Sequence, residues 1–593
     1  MKKGLFVLFL LALTSPLFAQ RMSEKTIETI GRAMNDELAR SKNQLKLKGL
    51  VDPFFVSYVV SDNERLDIIA SFGAITRSQQ THQRQLNLRL MVNNYQLNDE
   101  NFDGGGGGLF GGGPQIDMSL PLDNDYNTIR RAFWLATDDL FKDANETFTK
   151  KKAALERKQL TDEDRDLPDF SQAPKVELSE APAEIPVDRT KLEALVRDLS
   201  AVFIKYKPIE NSNVAFSFSN IYQFLKNTEG TNVRKPQTIC QLEIQATAQA
   251  ADDGEPLSLA TTITVLSPDR LPSRKELLEK AEKLAQDLTD LTTAPKLDGK
   301  EYSGPVLFEG EAGSEFISEQ IIAKLSAQRE DVLGGGSVFS LLGKAPTFQK
   351  KIGVRVLPAS ITVEDRTKSA SAPAKSSQTL GCYSVDEEGV VPNDMTLVEN
   401  GILKTLYMTR TPTKEVREPN GHSRQLISGG AAPGPGVVEI TDKKAMKAAD
   451  MKKDLFKRAK EDGYDFAFII RSTQKGTMLF SEGMGNVGDI LEGGKSLSPV
   501  LIYKVSIKDG KETLIRGAEV SLPTSRDLRE IITCRDVVTK DMGLAAGSGS
   551  GFSVYSSKAP ATLKASEKIL VPELEVRKKK TSANPIKPVV EKP

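Results

Sequence analysis

VDEEGVVPNDMTLVENGILKTLYMTR, residues 385–410, is the stretch from which the fold can be read. It opens on an acidic turn, Asp386, Glu387 and Glu388, closed by Gly389. Thr396, Leu397 and Val398 make a short apolar run suited to a strand. Glu399, Asn400 and Gly401 signal a tight turn, and residues 402–408 resume as a second strand. An Asn-Gly pair supplies the positive φ that a two-residue hairpin needs. The segment predicts a β-hairpin preceded by an acidic loop.

Further signals flank it. Asn227-Thr228-Glu229-Gly230 reads as a turn, Val363-Glu364-Asp365 as a strand end, and residues 503–518, YKVSIKDGKETLIRGA, as a late hairpin ending in Arg516-Gly517-Ala518. Together with the wording "DEEG…LVENGILK", this ordered set resembles the TldD/PmbA family of metalloprotease-related proteins over roughly two thirds of the chain. The resemblance implies an α+β fold: an α/β N-terminal domain followed by a strand-rich TldD/PmbA-type C-terminal domain. A shared fold does not fix an activity, so function has to be argued at the site.

The sequence departs from the family at that site. The resemblance implies His-Glu-x-x-x-His on a helix, with a late Cys as third zinc ligand. The aligned stretch is Gly310-Glu311-Ala312-Gly313-Ser314-Glu315. Glu311 keeps the position of the general base, whereas Gly310 and Glu315 replace the two imidazoles. The chain has two histidines, His82 and His422, and Gly-rich residues 546–551 carry no Cys. Cys534 lies upstream behind Ile531 and Ile532. A catalytic zinc needs three protein ligands and one open position for water, and a general base without metal-bound water has no nucleophile to activate. On this reading the peptidase chemistry is lost, no cofactor is expected, and no catalytic residue is assigned beyond Glu311 at the family general-base position.

Glu311, Glu315 and Glu319 leave an alternative open. Spaced i, i+4, i+8, they share one face of a helix. Three carboxylates could hold a divalent cation such as Mg²⁺, Ca²⁺ or Mn²⁺. Equally, they could form a solvated acidic first turn, where the helix dipole favours negative charge. Like charges at this spacing disfavour the isolated helix, so a cationic partner is expected nearby.

Composition bounds the remaining classes. At 593 residues the chain can build several cores, and its 80 basic residues balance 80 acidic ones. That balance gives no electrostatic footprint for nucleic acid. Cys240, Cys382 and Cys534 form no CxxC or finger spacing and read as buried thiols. Lys2 and Lys3, the apolar run 5–13 and the small residue Ala19 read as a secretory signal, residues 1–19. This predicts a soluble, exported, periplasmic product with no membrane span. Better-known members of the family lack such a signal.

The mature chain divides into an N-terminal α/β domain at 20–300, a TldD/PmbA-like domain at 301–575 and a basic, disordered tail at 576–593. Helices are predicted at 23–40 (capped by Ser23), 125–149, 190–202 (opened by Thr190) and from a capping box at Ser273. Strands are predicted at 54–60, 66–72, 86–92, 214–218, 221–225, 241–249 and 259–266. Beyond 301, helices are placed near 316–325 and 442–462. Two mobile insertions are expected: the Gly-rich 103–114, which lacks the Gly-Lys-Ser/Thr of a phosphate loop, and the charged, proline-containing 150–186.

Two loops offer peptide-binding candidates. His422 and Arg424 lie in a polar turn, and Gly429, Gly430, Gly434 and Gly436 lie in a small-residue loop that would let a peptide backbone approach closely. An extended, unfolded peptide could add there by main-chain hydrogen bonds that need no metal. Three readings compete: a non-catalytic homologue that binds peptide or pairs with a TldD-like subunit, as a heterodimer or homodimer; an active metallopeptidase with carboxylate ligands; and an envelope scaffold.

Overall fold

The Asn-Gly signal is borne out. In the computed structural model Asn400 and Gly401 have φ of 48° and 79°, and strand Met395–Glu399 turns through them to pair antiparallel with Ile402–Leu403. The structure describes residues 22–102, 115–299, 301–327, 329, 348–371, 379–427, 430–473, 496–497, 500–547 and 558–579. The signal at 1–19 and the Gly-rich insertion at 103–114 lie outside the described residues.

Among the described residues of the N-terminal half, seven strands form one sheet. They are β1 (Pro53–Ser71), β2 (Ala74–Val92), β3 (Gln115–Ser119), β4 (Glu177–Ser179), β5 (Ile209–Asn227), β6 (Asn232–Gln249) and β7 (Pro256–Val265). Their order is β3-β2-β1-β5-β6-β4, with β7 also paired to β6. Strands predicted as separate pieces at 54–60 and 66–72 are one continuous strand of 19 residues, and 214–218 with 221–225 are another. The polar run 62–65 reads as a break, but Asp62 is held inside the ladder by Arg84 and His82, each at 2.7 Å.

Helices α1 (Glu24–Gln44), α2 (Tyr126–Arg157), α3 (Asp162–Asp166), α4 (Arg189–Ala201) and α5 (Arg274–Thr293) accompany this sheet. Ser23 caps α1, and Ser273 with Glu276 forms the expected capping box of α5. The cap of α4 is Asp188 rather than Thr190: its carboxylate accepts from Lys191 N, two residues earlier than predicted. α1 and α2 bury Val56, Tyr58 and Val60 of β1. α4 and α5 bury Leu66, Ile68 and Ala70. Alternate residues of a strand share a face, so both helix pairs cover the same side of the sheet.

Residues 150–186, expected to be a mobile insertion, are in large part packed. α2 continues to Arg157, Lys151 is buried against Asp169 at 2.5 Å, Phe170 is buried, and β4 pairs with β6. Charge and proline content suggested solvation, and most of these charges are exposed, but Lys151 and Asp169 are buried and paired with each other.

The remainder is strand-rich. Among the described residues six strands form a sheet in the order β11 (Ile402–Leu403), β10 (Met395–Glu399), β9 (Ile361–Asp365), β14 (Val437–Asp442), β22 (Lys558–Ser566) and β21 (Val537–Ala545). A small hairpin pairs β12 (Ser423–Gln425) with β13 (Ala431–Pro433). Eight strands form another sheet: β16 (Ser496–Leu497), β19 (Ala518–Ser521), β23 (Lys568–Lys578), β8 (Tyr302–Glu309), β15 (Phe466–Ser472), β17 (Leu501–Ser506) and β18 (Glu512–Ile515) in order, with β20 (Ile532–Thr533) on β23. The two larger sheets share one core, from Val306 and Phe308 to Val363, Leu397 and Leu563. Helix Ala448–Glu461, predicted from 442, starts later because Asp442 ends β14. Val576, Arg577 and Lys578, assigned to the tail, belong to β23. Cys240 and Cys534 are buried and Cys382 is half-buried, all three as free thiols. The fold is α+β, as the sequence predicts.

Candidate functional site

The motif-aligned residues sit where β8 runs into α6 (Glu311–Phe316). Gly310 makes the turn with φ of 61° and contributes no side chain. The predicted helix over 316–325 is broken into types: α6 gives way to a π-turn at Ile317–Ile321 and a 3₁₀ turn at Ile322–Leu325. Gly313 lets this segment seat on the β22–β23 turn, since a Cβ there would lie 2.0 Å from the Glu567 carbonyl oxygen. Ser314 Oγ adds a hydrogen bond to the Glu567 carboxylate at 3.2 Å.

The three carboxylates divide between two partners. Glu311 accepts from Thr261 Oγ1 of β7 at 2.8 Å, which ties the turn to the N-terminal sheet. Glu315 is largely buried and accepts two hydrogen bonds from Lys558 Nζ, each 3.0 Å. The same ammonium lies 3.9 Å from Glu319. Lys558, the first residue of β22, is thus the expected cationic partner, and it stands between two of the acids. Among the described residues no group of three His, Cys, Asp or Glu side chains is placed to hold a metal ion. The donor set does not fit zinc: Gly310 offers no donor, Glu315 is bonded to an ammonium, and Cys534 packs in the apolar cluster around Leu307, Met451 and Leu570. Burial, with the Lys351 charge adding, brings the Lys324 ammonium down to about 8.

His422 and Arg424 lie in the interior, at 0% and 4% exposure. The His422 Nδ1 hydrogen points at the Asn420 carbonyl at 2.9 Å, and Nε2 lies 3.4 Å from Asp365 Oδ1. Asp365 also accepts from Thr367, from Tyr407 Oη at 3.1 Å and from Gly436 N at 3.0 Å. Burial would push the Asp365 carboxyl up, but the His422 charge and these donors outweigh it and hold it below the usual range. Arg424 donates to the Pro435 and Pro560 carbonyls and stacks 3.9 Å over the Tyr383 ring. Gly434 and Gly436 are crowded: a Cβ would meet Ala546 Cβ at 2.5 Å and Thr367 Oγ1 at 2.0 Å, respectively. Gly430 turns the β12–β13 hairpin in open space, and Gly429 lies outside the described residues. Gly434 and Gly436 pack protein against protein, where an open peptide cleft was expected.

The acidic turn that opens the hairpin segment lies against the N-terminal sheet. Glu387 accepts from Gln223 Nε2 at 2.6 Å and Lys235 Nζ at 3.1 Å. Glu388 accepts from Arg89 at 2.5 Å and from Arg410 N at 2.6 Å. Asp386, fully buried, takes the backbone N–H groups of Glu388, Val390 and Ser423, and burial with the Glu388 charge pushes it up to about 7. Arg516 of the late hairpin reaches Glu255 at 2.8 Å and the Ala294 carbonyl at 3.0 Å. Two of the sequence signals that carry the resemblance, the acidic turn and the late hairpin, are therefore clamps between the two halves of the chain, whereas Asp365 bonds within the second.

Residues 300–513 match the family model of the PmbA/TldA metallopeptidase C-terminal domain. The chain carries a TldD/PmbA-type domain. The fold around this domain is shared more widely. A provisional DNA gyrase modulator from Thermotoga maritima superposes with a TM-score of 0.56 at 15% identity, covering 92% of this chain and 99% of that one. TldE from Thermococcus kodakarensis gives 0.55 at 11% identity, over 92% and 99%. A second provisional gyrase modulator, from Bacteroides thetaiotaomicron, gives 0.54 at 12%, over 94% and 100%. Curated protein sequences give no significant match to the chain. The TldD/PmbA resemblance is borne out. Sequence reasoning missed Lys558, and the Asp365–His422 pair as a unit, because their partners are remote in sequence. Among the described residues no helix is long and apolar enough to cross a membrane.

Proposed function

We propose that this chain is an exported, non-catalytic TldD/PmbA-type subunit that pairs with a zinc-competent relative. The observation that carries this reading is Lys558 Nζ at 3.0 Å from both oxygens of Glu315, at the position where the family motif would place its second imidazole. An ammonium held there competes with any cation for the same carboxylate, and without a bound cation Glu311 would have no activated water to deprotonate. Pairing is favoured over peptide capture at the small-residue loop because His422, Arg424, Gly434 and Gly436 are packed inside.

Elemental analysis of the purified chain, with casein cleavage assayed before and after addition of Mn²⁺ or Co²⁺, tests the chemistry. The expected result is no stoichiometric metal and no cleavage. Chelator-sensitive cleavage that disappears in Glu311→Gln would replace this reading with an active metallopeptidase. Affinity capture from native envelope extract tests the pairing, with a related chain bearing His-Glu-x-x-x-His as the expected partner. A monomer by light scattering, with no captured relative, would leave only a scaffold role. N-terminal sequencing that begins at Gln20 is the expected sign of export.

A further inference from the structure

β2 is longer than the strand that covers it. β3 pairs with it only over 85–89, and among the described residues no strand lies on the same edge from 78 to 84. On its other side β1 pairs with this whole stretch, as far as a bulge at Thr76. A run of regular strand therefore carries an unpaired backbone edge, the kind that templates pairing with another chain.

Two contacts fix which backbone groups face outward. The Arg84 carbonyl accepts from Leu120 N at 2.7 Å, on the β3 side, and the Ser78 carbonyl accepts from Arg189 at 3.0 Å. Along an antiparallel strand the residues that turn both backbone groups to one edge alternate. Ser78, Gln80, His82 and Arg84 therefore present their N–H and C=O to the open edge. The carbonyls at the two ends are engaged, whereas nothing among the described residues donates to those of Gln80 and His82. These two residues stand symmetrically about Thr81. The usual means of blunting an edge are missing here: residues 78–84 contain no Lys, Pro, Asp or Glu, and Arg84 turns inward onto Asp62 at 2.7 Å.

We propose that this edge pairs antiparallel with the same edge of a second copy of the chain, about a two-fold axis at Thr81. In that register Gln80 exchanges backbone hydrogen bonds with His82 of the second copy, about four bonds in all. Thr81 faces Thr81, Gln79 faces Gln83, and Arg77 faces Gln85, so no like charges are opposed. A two-fold interface must complement itself, and this one does so in main chain and side chain alike. Gln79, Gln80, His82 and Gln83 are all exposed, which leaves the approach open. The interface is small, so association at micromolar concentration is expected. The inference concerns this chain alone and stands apart from its pairing with a relative.

Sedimentation velocity of the purified chain, from about 1 to 100 µM, should show a monomer passing into a dimer. Gln80→Pro removes an N–H that points away from β1, so it spares the β1–β2 ladder and should weaken the dimer tenfold or more. Circular dichroism checks that this variant is folded. Thr81→Cys supplies a second readout. Two residues facing each other on the axis have Cα atoms about 4.5 Å apart, within disulfide reach, whereas the two copies of residue 83 lie about 14 Å apart. Under mild oxidation Thr81→Cys should form a covalent dimer at least tenfold faster than Gln83→Cys. The parent chain, with Cys240 and Cys534 buried and Cys382 half-buried, sets the background. A monomer at every concentration, or a dimer indifferent to Gln80→Pro, overturns the proposal. Equal cross-linking at 81 and 83 overturns the two-fold register, and association only with an added relative overturns the choice of partner.

Discussion

Arg410 lies fully buried with its guanidinium forked onto the carboxylate of Glu229 at 2.6 and 2.7 Å, 181 residues away in the chain. The same guanidinium donates twice to the Ser171 carbonyl and stacks 4.2 Å from the Phe170 ring. Tyr95 Oη closes the other side of Glu229 at 2.7 Å. Arg410 ends the hairpin segment and Glu229 sits in the Asn227–Gly230 turn, so two of the signals that identify the fold are halves of one contact.

Arg410→Met and Glu229→Gln should each destabilise the protein by about 3–5 kcal/mol, because removal of one partner strands the other charge in the interior. The double variant should cost less than the sum of the two, since no uncompensated charge remains. Urea unfolding followed by circular dichroism measures all three. Additive losses would mean that the two residues act separately.

Asp99 gives the stability a pH dependence of definite sign. It is fully buried, only Oδ1 has a partner, Val92 N at 2.8 Å, and burial pushes its carboxyl up to about 7. The folded pKa lies above the unfolded value near 3.9, so the folded state holds the proton more tightly. The contribution is complete below about pH 4 and is lost as pH rises through 7, by up to about 4 kcal/mol. Asp99→Asn keeps the bond to Val92 N and should remove this share of the profile. The gap between melting temperatures at pH 5 and pH 8 should be smaller in the variant than in the parent chain, with Asp386 carrying the remainder.

Gly436 and Gly430 separate crowding from backbone conformation. A Cβ at Gly436 meets Thr367 Oγ1 at 2.0 Å and the Gly381 carbonyl at 2.9 Å, so Gly436→Ala should cost about 3 kcal/mol or more by overpacking. Gly430 has free space but φ of 77°, and Gly430→Ala should cost only about 1 kcal/mol. Thermal shift assays rank the two. A harmless Gly436→Ala would show that the loop opens and would restore it as a peptide site.

Lys558→Ala removes the ammonium from Glu315, whose side chain is 10% exposed. The loss should be about 1–3 kcal/mol, the cost of leaving a largely buried carboxylate without its donor. Lys558→Arg should recover most of it. Chemical denaturation of both variants separates a charge role, which Arg keeps, from simple packing.

Much of this architecture is legible in local sequence, and the illegible parts share a cause. The Asn400-Gly401 turn, the Ser23 cap and the Ser273–Glu276 box depend on residues within one turn of each other, and each is found where it is predicted. The continuity of β1 through Asp62, Asn63 and Glu64 depends on Arg84 and His82 across the ladder, and nothing within β1 announces it. At the candidate site, the loss of both imidazoles is visible at Gly310 and Glu315, but the cation that meets Glu315 comes from 243 residues downstream. The small-residue loop misleads because a glycine that admits a ligand and one that admits Thr367 have the same letter.

β22 and β23 have a consequence for the order in which this chain can mature. Each is an interior strand of its sheet: β22 lies between β14 and β21, and β23 between β19 and β8. The N-terminal sheet is complete once Val265 has been made, whereas β8, whose first residue is Tyr302, waits for a neighbour that begins at Lys568. At ribosomal speeds that interval is roughly 15–50 s. Throughout it, β8 has an edge without its final neighbour, the kind of edge that invites pairing with other chains. A stop codon a few dozen residues before the end would thus leave a folded first half joined to a second half with neither large sheet closed.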